Sequence, residues 1–462
     1  MIKPKIDARQ VLIDIRSGMG DSVLMDKYKL SARGLQSLFK KLLDVGLIKQ
    51  SELDERMPLS QKTVDIALFR CPACGMPQFS EFEECPQCGI IVGKYMERQA
   101  RVSESLRESP SAAAVNTVID ARQEITFRAN SQRTGCFDSK AVRELTELKW
   151  RYKTGGWVSA SPAVSSAGVF VGSLDGNLYL LDEDSGRPIW QFNAGSSIYS
   201  SCSLLDSVVY FGTLNGTLYG VNALDGKAVF QFSTAGPIYS SPATTEGTVF
   251  FGSLNGYIFA LDLNTRAEKW KVRTGGPVYS APSVSSGVVF CGSIDGHLYA
   301  LETSTGREVW RFKTGGPVTN AAAIADNIVY VGSGDRHMYA VDIRSGKERW
   351  SFRTGDKITS CPAIVGGVVY FGSADKHVYA VDVRTGLDKW SFETGSAVYS
   401  SPTVANEMIY FGSGDKHLYA LEMKTGRELW KFKTGSPVYS SPCIADSVIY
   451  FGSDDCCIYA IR

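Results

Sequence analysis

The 462-residue chain has little net charge and little histidine: 49 Lys and Arg stand against 48 Asp and Glu, with four His, for a balance of +1 at pH 7. A chain so balanced has no global field to draw it to nucleic acid or to an anionic membrane. No stretch approaches the roughly 18 continuous apolar residues of a membrane-crossing helix. The first residues, "MIKPKIDARQVLIDIRSG", are charged throughout and show no apolar signal core, lipid-attachment cysteine or cleavage site. Together these absences predict a cytoplasmic protein without a membrane role. Of the eleven cysteines, four sit in paired CxxC spacing and the rest are mostly scattered singles, so no disulfide framework is expected. The length itself points to two or more structural units.

What the chain has in abundance is repetition. Trp150, Trp190, Phe230, Trp270, Trp310, Trp350, Trp390 and Trp430 lie forty residues apart. Between them recur "VYSSP", an apolar stretch such as "VVYFGS" and another such as "HLYALE". A period of about 40 with four short strands per unit is the mark of propeller blades, so eight aromatic positions predict an eight-bladed β-propeller over residues 145–462. The last unit reaches Arg462 without a Trp strand, whereas "ELKWRYKTG" around Trp150 precedes the first full unit. An N-terminal strand is therefore expected to complete the C-terminal blade and remove the exposed edges.

Each unit carries a signature close to A-x-D-x-x-T-G-x-x-x-W. Asp182, Asn222, Asp262, Asp342 and Asp382 are placed to bond backbone amides of a turn, and the Thr/Ser-Gly pair supplies a residue at positive φ. The following Trp is expected to lie against the neighbouring blade. Arg266 replaces the glycine of its unit and Phe230 replaces a Trp, so those two blades should be the least regular.

Ahead of the propeller, residues 1–66 read as helices. Asp7, Asp21 and Ser31 are candidate caps, and Leu35, Leu38, Phe39 and Leu42 form one buried stripe. The opposite face carries Arg33, Gln36 and Lys40. The arrangement resembles a helix-turn-helix, with Arg33 and Gln36 near base edges and Lys40 and Lys41 near phosphates. The competing reading is a small docking domain with a solvated polar face, and Asp14, Asp21, Asp26 and Asp44 dilute the positive charge. Residues 67–95 contain Cys71, Cys74, Cys85 and Cys88 as CxxC-x10-CxxC, which predicts a zinc ribbon: four thiolates closing a structural tetrahedral Zn2+ site. Residues 96–144 read as a partly disordered linker without assigned function.

The propeller repeat resembles the PQQ-like repeat family of eight-bladed propellers, which includes the quinoprotein alcohol dehydrogenases and BamB-like binding proteins. The resemblance identifies fold better than function. In the quinoprotein enzymes, acidic and amide groups near the axis hold calcium, and the quinone lies on an aromatic floor. Here the "VYSSP" segments, expected as the innermost strands, offer Ala160, Ser200, Ser240, Ser280, Asn320, Ser360, Ser400 and Ser440, with no carboxylate in that column. PQQ is accordingly not expected as a cofactor, and no catalytic residue is assigned. The four histidines, His297, His337, His377 and His417, share one column and are read as repeat consensus.

These features favour a non-enzymatic scaffold: a monomeric propeller that docks a protein partner or small ligand on its face. The preferred surface is the Tyr-lined mouth (Tyr199, Tyr239, Tyr279, Tyr399, Tyr439) with the charged pairs Asp335-Arg336, Asp375-Lys376 and Asp415-Lys416. A DNA-associated regulator, binding through residues 1–66, and a PQQ-dependent oxidoreductase are the alternatives.

Overall fold

A computed structural model describes residues 127–462 other than Glu246, together with Asp14, Leu24, Lys27, Tyr28 and Leu42 and the strand pair Phe69–Arg70 and Pro77–Gln78. The chain divides into two units, Met1–Val115 and Asn116–Arg462. In the first unit the five described N-terminal residues are helical. Leu24 and Leu42 are buried, and Asp14, also buried, accepts from Lys27 and Tyr28. Arg33, Gln36, Lys40 and Lys41 lie outside the described residues, as do Cys71, Cys74, Cys85 and Cys88. Phe69 pairs with Gln78 and Arg70 with Pro77, so the first CxxC falls in the connection of an antiparallel hairpin.

The second unit carries eight antiparallel sheets, seven of four strands and one to which a fifth short strand is added. Blade 1 is typical: Ala163–Ser165, Gly168–Gly172, Asn177–Leu181 and Pro188–Asn193, from axis to rim. The second strands, such as "GVFVG", are buried along nearly their whole length because neighbouring blades cover both faces, hence their continuous apolar character. Rim strands such as Glu308–Lys313 alternate between exposed and half-buried residues, since one face meets water. Inner strands are only three residues long where the blades converge.

Blade 8 joins Cys443–Ala445, Val448–Ser453 and Cys457–Ile461 to Leu148–Lys153, with Ala460 opposite Trp150. The expected closure by an N-terminal strand is therefore present. Thr146 and Glu147 both donate their N–H to Arg462 O at 2.8 Å, and Arg462 returns its own N–H to Glu147 O at 3.0 Å.

The Trp column docks blade to blade. The indole Nε1 of Trp150, Trp190, Trp270, Trp310, Trp350 and Trp390 donates to the carbonyl 33 residues on, in the next blade, at 2.8–3.1 Å. Trp430 instead donates to Val142 O at 3.0 Å. Each of the first six rings also lies over a glycine 36 residues on. A Cβ at Gly186, Gly226, Gly306, Gly346, Gly386 or Gly426 would meet it at 2.5–2.9 Å, and all six glycines have positive φ. By the same spacing Phe230 faces residue 266, which is arginine, not glycine, at φ 58°. The two irregularities read separately in the sequence are one: the smaller ring frees its partner from being glycine. The signature acids bond the turns as expected, for example Asp262 Oδ1 with Thr265 N–H at 2.8 Å.

The "VYSSP" segments are not the innermost strands. They are loops that run in from the rim and precede the inner strands. Their serines do not face an open mouth; Ser200, Ser240, Ser280, Ser360, Ser400 and Ser440 are fully buried. Ser240 Oγ donates to Ser280 O, Ser280 Oγ to Asn320 O and Ser400 Oγ to Ser440 O, each in the following blade. The next column makes a second ring: the N–H of Ser161, Ser201, Cys361, Ser401 and Ser441 each bonds a serine Oγ of an adjacent blade at 2.9–3.0 Å.

A turn acid adds a pH term. Burial pushes Asp295, Asp335 and Asp415 upward, but bonds from the Tyr hydroxyl four residues on, from a glycine N–H and from the following His residue outweigh it, so each lies below the ordinary carboxylate range. Their stabilisation is present above the unfolded value of about 3.9 and is lost as pH falls through the depressed folded values. Asp335→Asn, mimicking the native Asn215 and Asn255, should flatten acid unfolding below about pH 4, read by tryptophan fluorescence. Phe230→Trp alone should destabilise through overlap with Arg266. Adding Arg266→Gly should restore stability, with a coupling of about 1 kcal/mol or more in a denaturation double-mutant cycle.

Candidate functional site

Closing eight blades leaves the inner strands with unpaired backbone groups pointing at the axis, and buried backbone groups must find partners. The partner is the chain's own segment 127–138, part of the stretch 96–144 whose composition reads as a linker. Val284, Ile324, Ile364 and Val404, in the inner strands of blades 4 to 7, donate their N–H to the carbonyls of Ser131, Gln132, Thr134 and Gly135 at 2.8–3.0 Å. Cys136–Phe137 then runs parallel to the inner strand Thr403–Ala405 of blade 7. The propeller unit therefore includes residues 127–138 as an axial plug.

Two buried arginines satisfy the carbonyls. Arg133, fully buried, donates Nε to Pro282 O at 2.7 Å, Nη2 to Pro242 O at 3.1 Å and Nη1 to Phe127 O at 2.7 Å. Arg128 donates Nη2 to Pro362 O at 2.9 Å and Nη1 to Pro402 O. A guanidinium suits the task because its five donors fan out in one plane. Burial lowers the Arg128 pKa to about 10, which leaves it charged at neutral pH. Arg128, Ala129 and Arg133 all adopt positive φ, a strain the anchors must hold. Gly135 allows the fit, since a Cβ there would strike Arg128 Nη2 at 2.1 Å. Phe127 packs on Ala281, Ala321 and Cys361, where alanines interrupt the serine ring.

The mouth around the plug is aromatic. Tyr199 and Tyr239 stack with centroids 4.6 Å apart, Tyr239 and Tyr279 approach to 5.2 Å, and Tyr399 and Tyr439 to 5.5 Å. Asp454, missed in the sequence, accepts from Ser159 Oγ at 3.1 Å, and burial raises its pKa. Its column otherwise holds Leu174, Leu214, Leu254, Ile294, Gly334, Ala374 and Gly414, so departure from the repeat was the available signal.

The charged pairs sort by side. Asp335 Oδ2 accepts from Gly315 N–H at 2.6 Å and Tyr339 hydroxyl at 2.7 Å; Asp375 and Asp415 repeat the pattern. The basic members Arg336, Lys376 and Lys416 are exposed, at φ 76°, 78° and 73°. Blades 1 to 4 have Gly176, Gly216, Gly256 and Gly296 at this turn. Each histidine Nδ1 stays near the Asp of its own turn, as in His297 with Asp295 Oδ1 at 3.3 Å. Among the described residues no group of three or more His, Cys, Asp or Glu is arranged to hold a metal ion.

Arg133→Ala would strip the carbonyls of Pro282, Pro242, Ser241 and Phe127 of a donor. It should lower unfolding free energy by about 3 kcal/mol or more, with Arg133→Lys recovering only part, measured by urea denaturation.

The description "Outer membrane protein assembly factor BamB" matches residues 140–241 and 231–323, and "Beta-alanine-activating enzyme, beta-propeller" matches 284–462. No curated protein matches significantly. BamB from Moraxella catarrhalis superposes with a TM-score of 0.61 at 21% identity, covering 69% of this chain and 100% of that one. Quinohemoprotein alcohol dehydrogenase from Comamonas testosteroni gives 0.64 at 16% identity, covering 73% and 80%. The computationally designed Ika8 protein gives 0.62 at 20%, covering 69% and 99%. At such identities the solved structures speak for fold alone. The chain from residue 140 to 462 is thus an eight-bladed β-propeller, whose residues 140–323 match the BamB-described repeat model and whose residues 284–462 match the other propeller model.

Proposed function

We propose that this protein is a non-enzymatic, cytoplasmic docking platform whose propeller presents a cationic arc to an acidic protein partner. The observation that carries the reading is the row Arg336, Lys376 and Lys416 in three consecutive blades. Each holds a side chain in the left-handed region at a turn that four other blades fill with glycine. Such a conformation costs about 1 kcal/mol or more per residue, and the basic side chains form no ion pair among the described residues. The adjoining carboxylates, still ionised, are turned to the Gly N–H and Tyr hydroxyl of their own turns, so the basic side chains are the exposed member of each pair. A complementary negative patch would be steered to it and held in register.

A calcium-held quinone fits these residues poorly. The serine columns are committed to bonds between blades, the axis below the mouth holds the plug, and Asp454 is already bonded to Ser159. No step is derived through that cofactor. For the first unit, Cys71, Cys74, Cys85 and Cys88 are proposed as ligands of one structural zinc. The hairpin register of Phe69–Arg70 with Pro77–Gln78 supports this, since it sets the first CxxC in a connection of the kind a zinc knuckle uses.

The test exploits the strain. Arg336→Gly, Lys376→Gly and Lys416→Gly combined should raise Tm, because glycine relieves the turn, while salt-sensitive capture of an acidic partner by the full-length protein falls at least tenfold. Capture that survives the triple change overturns the cationic-arc reading. Capture that disappears with nuclease instead favours a nucleic-acid role for residues 1–66.

A further inference from the structure

The column that makes the mouth aromatic is broken in three blades: Thr319 and Thr359 stand in blades 5 and 6, and Ser159 in blade 1. The gap at blade 1 holds a carboxylate, since Asp454 Oδ1 accepts from Ser159 Oγ at 3.1 Å. Backbone bonds fix the arrangement: Asp454 donates its N–H to Pro437 O at 3.0 Å, and Val158 donates its own to Ser453 O at 3.3 Å. Asp454 is half-buried; its Oδ2 has no hydrogen-bond or ion-pair partner among the described residues and keeps contact with solvent. Tyr439 and Tyr199 are the ring members on either side of the gap. Burial, and after it the Asp454 charge, raises the pKa of both phenols, so the carboxylate stands within electrostatic reach of each. Trp157, 53% exposed, stands two residues before Ser159, where four other blades have proline. The plug also leaves this sector open. It bonds the inner strands of blades 4 to 7, and a cavity of about 320 Å³, with Ser161, Ser441 and Cys443 on its wall, remains beside those of blades 8 and 1.

Among the described residues no cation answers this carboxylate. Residues 155–161 and their seven repeats contain two charged residues, the adjacent and opposite Asp356 and Lys357, and Lys357 Nζ lies over the Tyr399 ring, 5.8 Å from its centroid. Arg128 and Arg133 are turned to carbonyls of blades 3, 4, 6 and 7. Asp455, the neighbouring acid, takes the Gly435 N–H and the Tyr459 hydroxyl. We infer that the gap at blade 1 is a binding site for a single guanidinium group, which donates to Asp454 Oδ2 and packs against the flanking rings of Tyr199 and Tyr439. A half-buried carboxylate without a counter-ion is costly, and a cation that donates to it recovers part of that cost. Guanidinium suits the gap better than ammonium: it is weakly hydrated, and it lays a planar face on aromatic rings while its N–H edge meets a carboxylate. A quaternary ammonium shares the attraction to aromatic faces but offers Oδ2 no N–H. The site is separate from the basic arc of blades 5 to 7 and does not depend on the docking reading.

The probes are methylguanidinium and N-acetylarginine amide, with N-acetylcitrulline amide as the neutral isostere and tetramethylammonium as the rival cation. Each is titrated into the full-length protein at constant ionic strength. Calorimetry and ligand-observed NMR should show both guanidinium probes binding with Kd about 1 mM or tighter, and the citrulline amide and tetramethylammonium at least tenfold weaker. N-acetylarginine amide bound at least tenfold tighter than methylguanidinium would make the ligand an arginine side chain, and equal affinity would make it a small free guanidine; either supports the site. Asp454→Leu installs the residue that Leu174, Leu214 and Leu254 hold in blades 1 to 3, so Tm should be kept while guanidinium binding falls at least tenfold. Ser159→Tyr, which completes the ring at blade 1, should weaken binding as much, whereas Thr319→Tyr, at the other gap, should leave it unchanged. Equal binding of the citrulline amide, preference for tetramethylammonium, absence of guanidinium binding, binding that survives Asp454→Leu, or equal loss in Ser159→Tyr and Thr319→Tyr would each overturn the proposal.

Discussion

The structure depends on one contact made again and again: an indole from the rim strand of one blade seated on the glycine turn of the next, with its N–H on that turn's carbonyl. The contact sets the spacing and rotation between blades, because the ring approaches so closely that no Cβ fits beneath it. It also dictates how the ring closes. Blade 8 takes its rim strand from before blade 1, so the turn that should receive Trp430 is missing. The Val142 carbonyl takes its place, and the same residue bonds the Tyr410 hydroxyl through both its N–H and its C=O. A segment with no repeat character thus imitates a repeat turn at the one junction that lacks it.

Closure solves the edge problem at the rim and creates another at the axis. Eight short inner strands converge with their outward-bonding groups unpaired, and water in so narrow a space must be ordered. The plug answers with carbonyls for the N–H groups and two arginines for the carbonyls, at the cost of burying two positive charges. Once the axis is occupied by the chain itself, the surfaces left open are the mouth, the face turns and the sector the plug leaves uncovered.

Blade number, closure, the Trp column and the acid-bonded turns were legible in the sequence because each is written in side chains at a fixed period. The plug was not. Its bonds are mostly between backbone groups, so "FRANSQRTGCFD" carries no periodicity, and Arg128 and Arg133 look like ordinary surface charges. The serines of "VYSSP" were visible but misplaced: small polar residues before a proline suit an axial lining, yet they are stitches between blades. Phe230 and Arg266 were each noticed, but their pairing follows from a contact between blades at a spacing of 36, which the period of forty conceals. The zinc cysteines and the residues read for DNA contact belong to the first unit and lie outside the described residues.

In a protein made of near-copies, sameness reports folding and difference reports use. The His column and the turn acids recur and are engaged within their own turns. Arg336, Lys376 and Lys416 break a glycine position at a conformational cost that the fold does not require. Asp454 breaks an apolar column at the mouth. Cys443 stands where other blades have alanine, serine or threonine, facing the uncovered cavity. A duplication event copies all positions alike; only later substitution explains departures that raise the free energy of a turn or bury a charge. Those departures fall on the mouth, on its face and on the cavity sector, whereas Arg266, opposite Phe230, falls on a docking turn and is matched by the smaller ring.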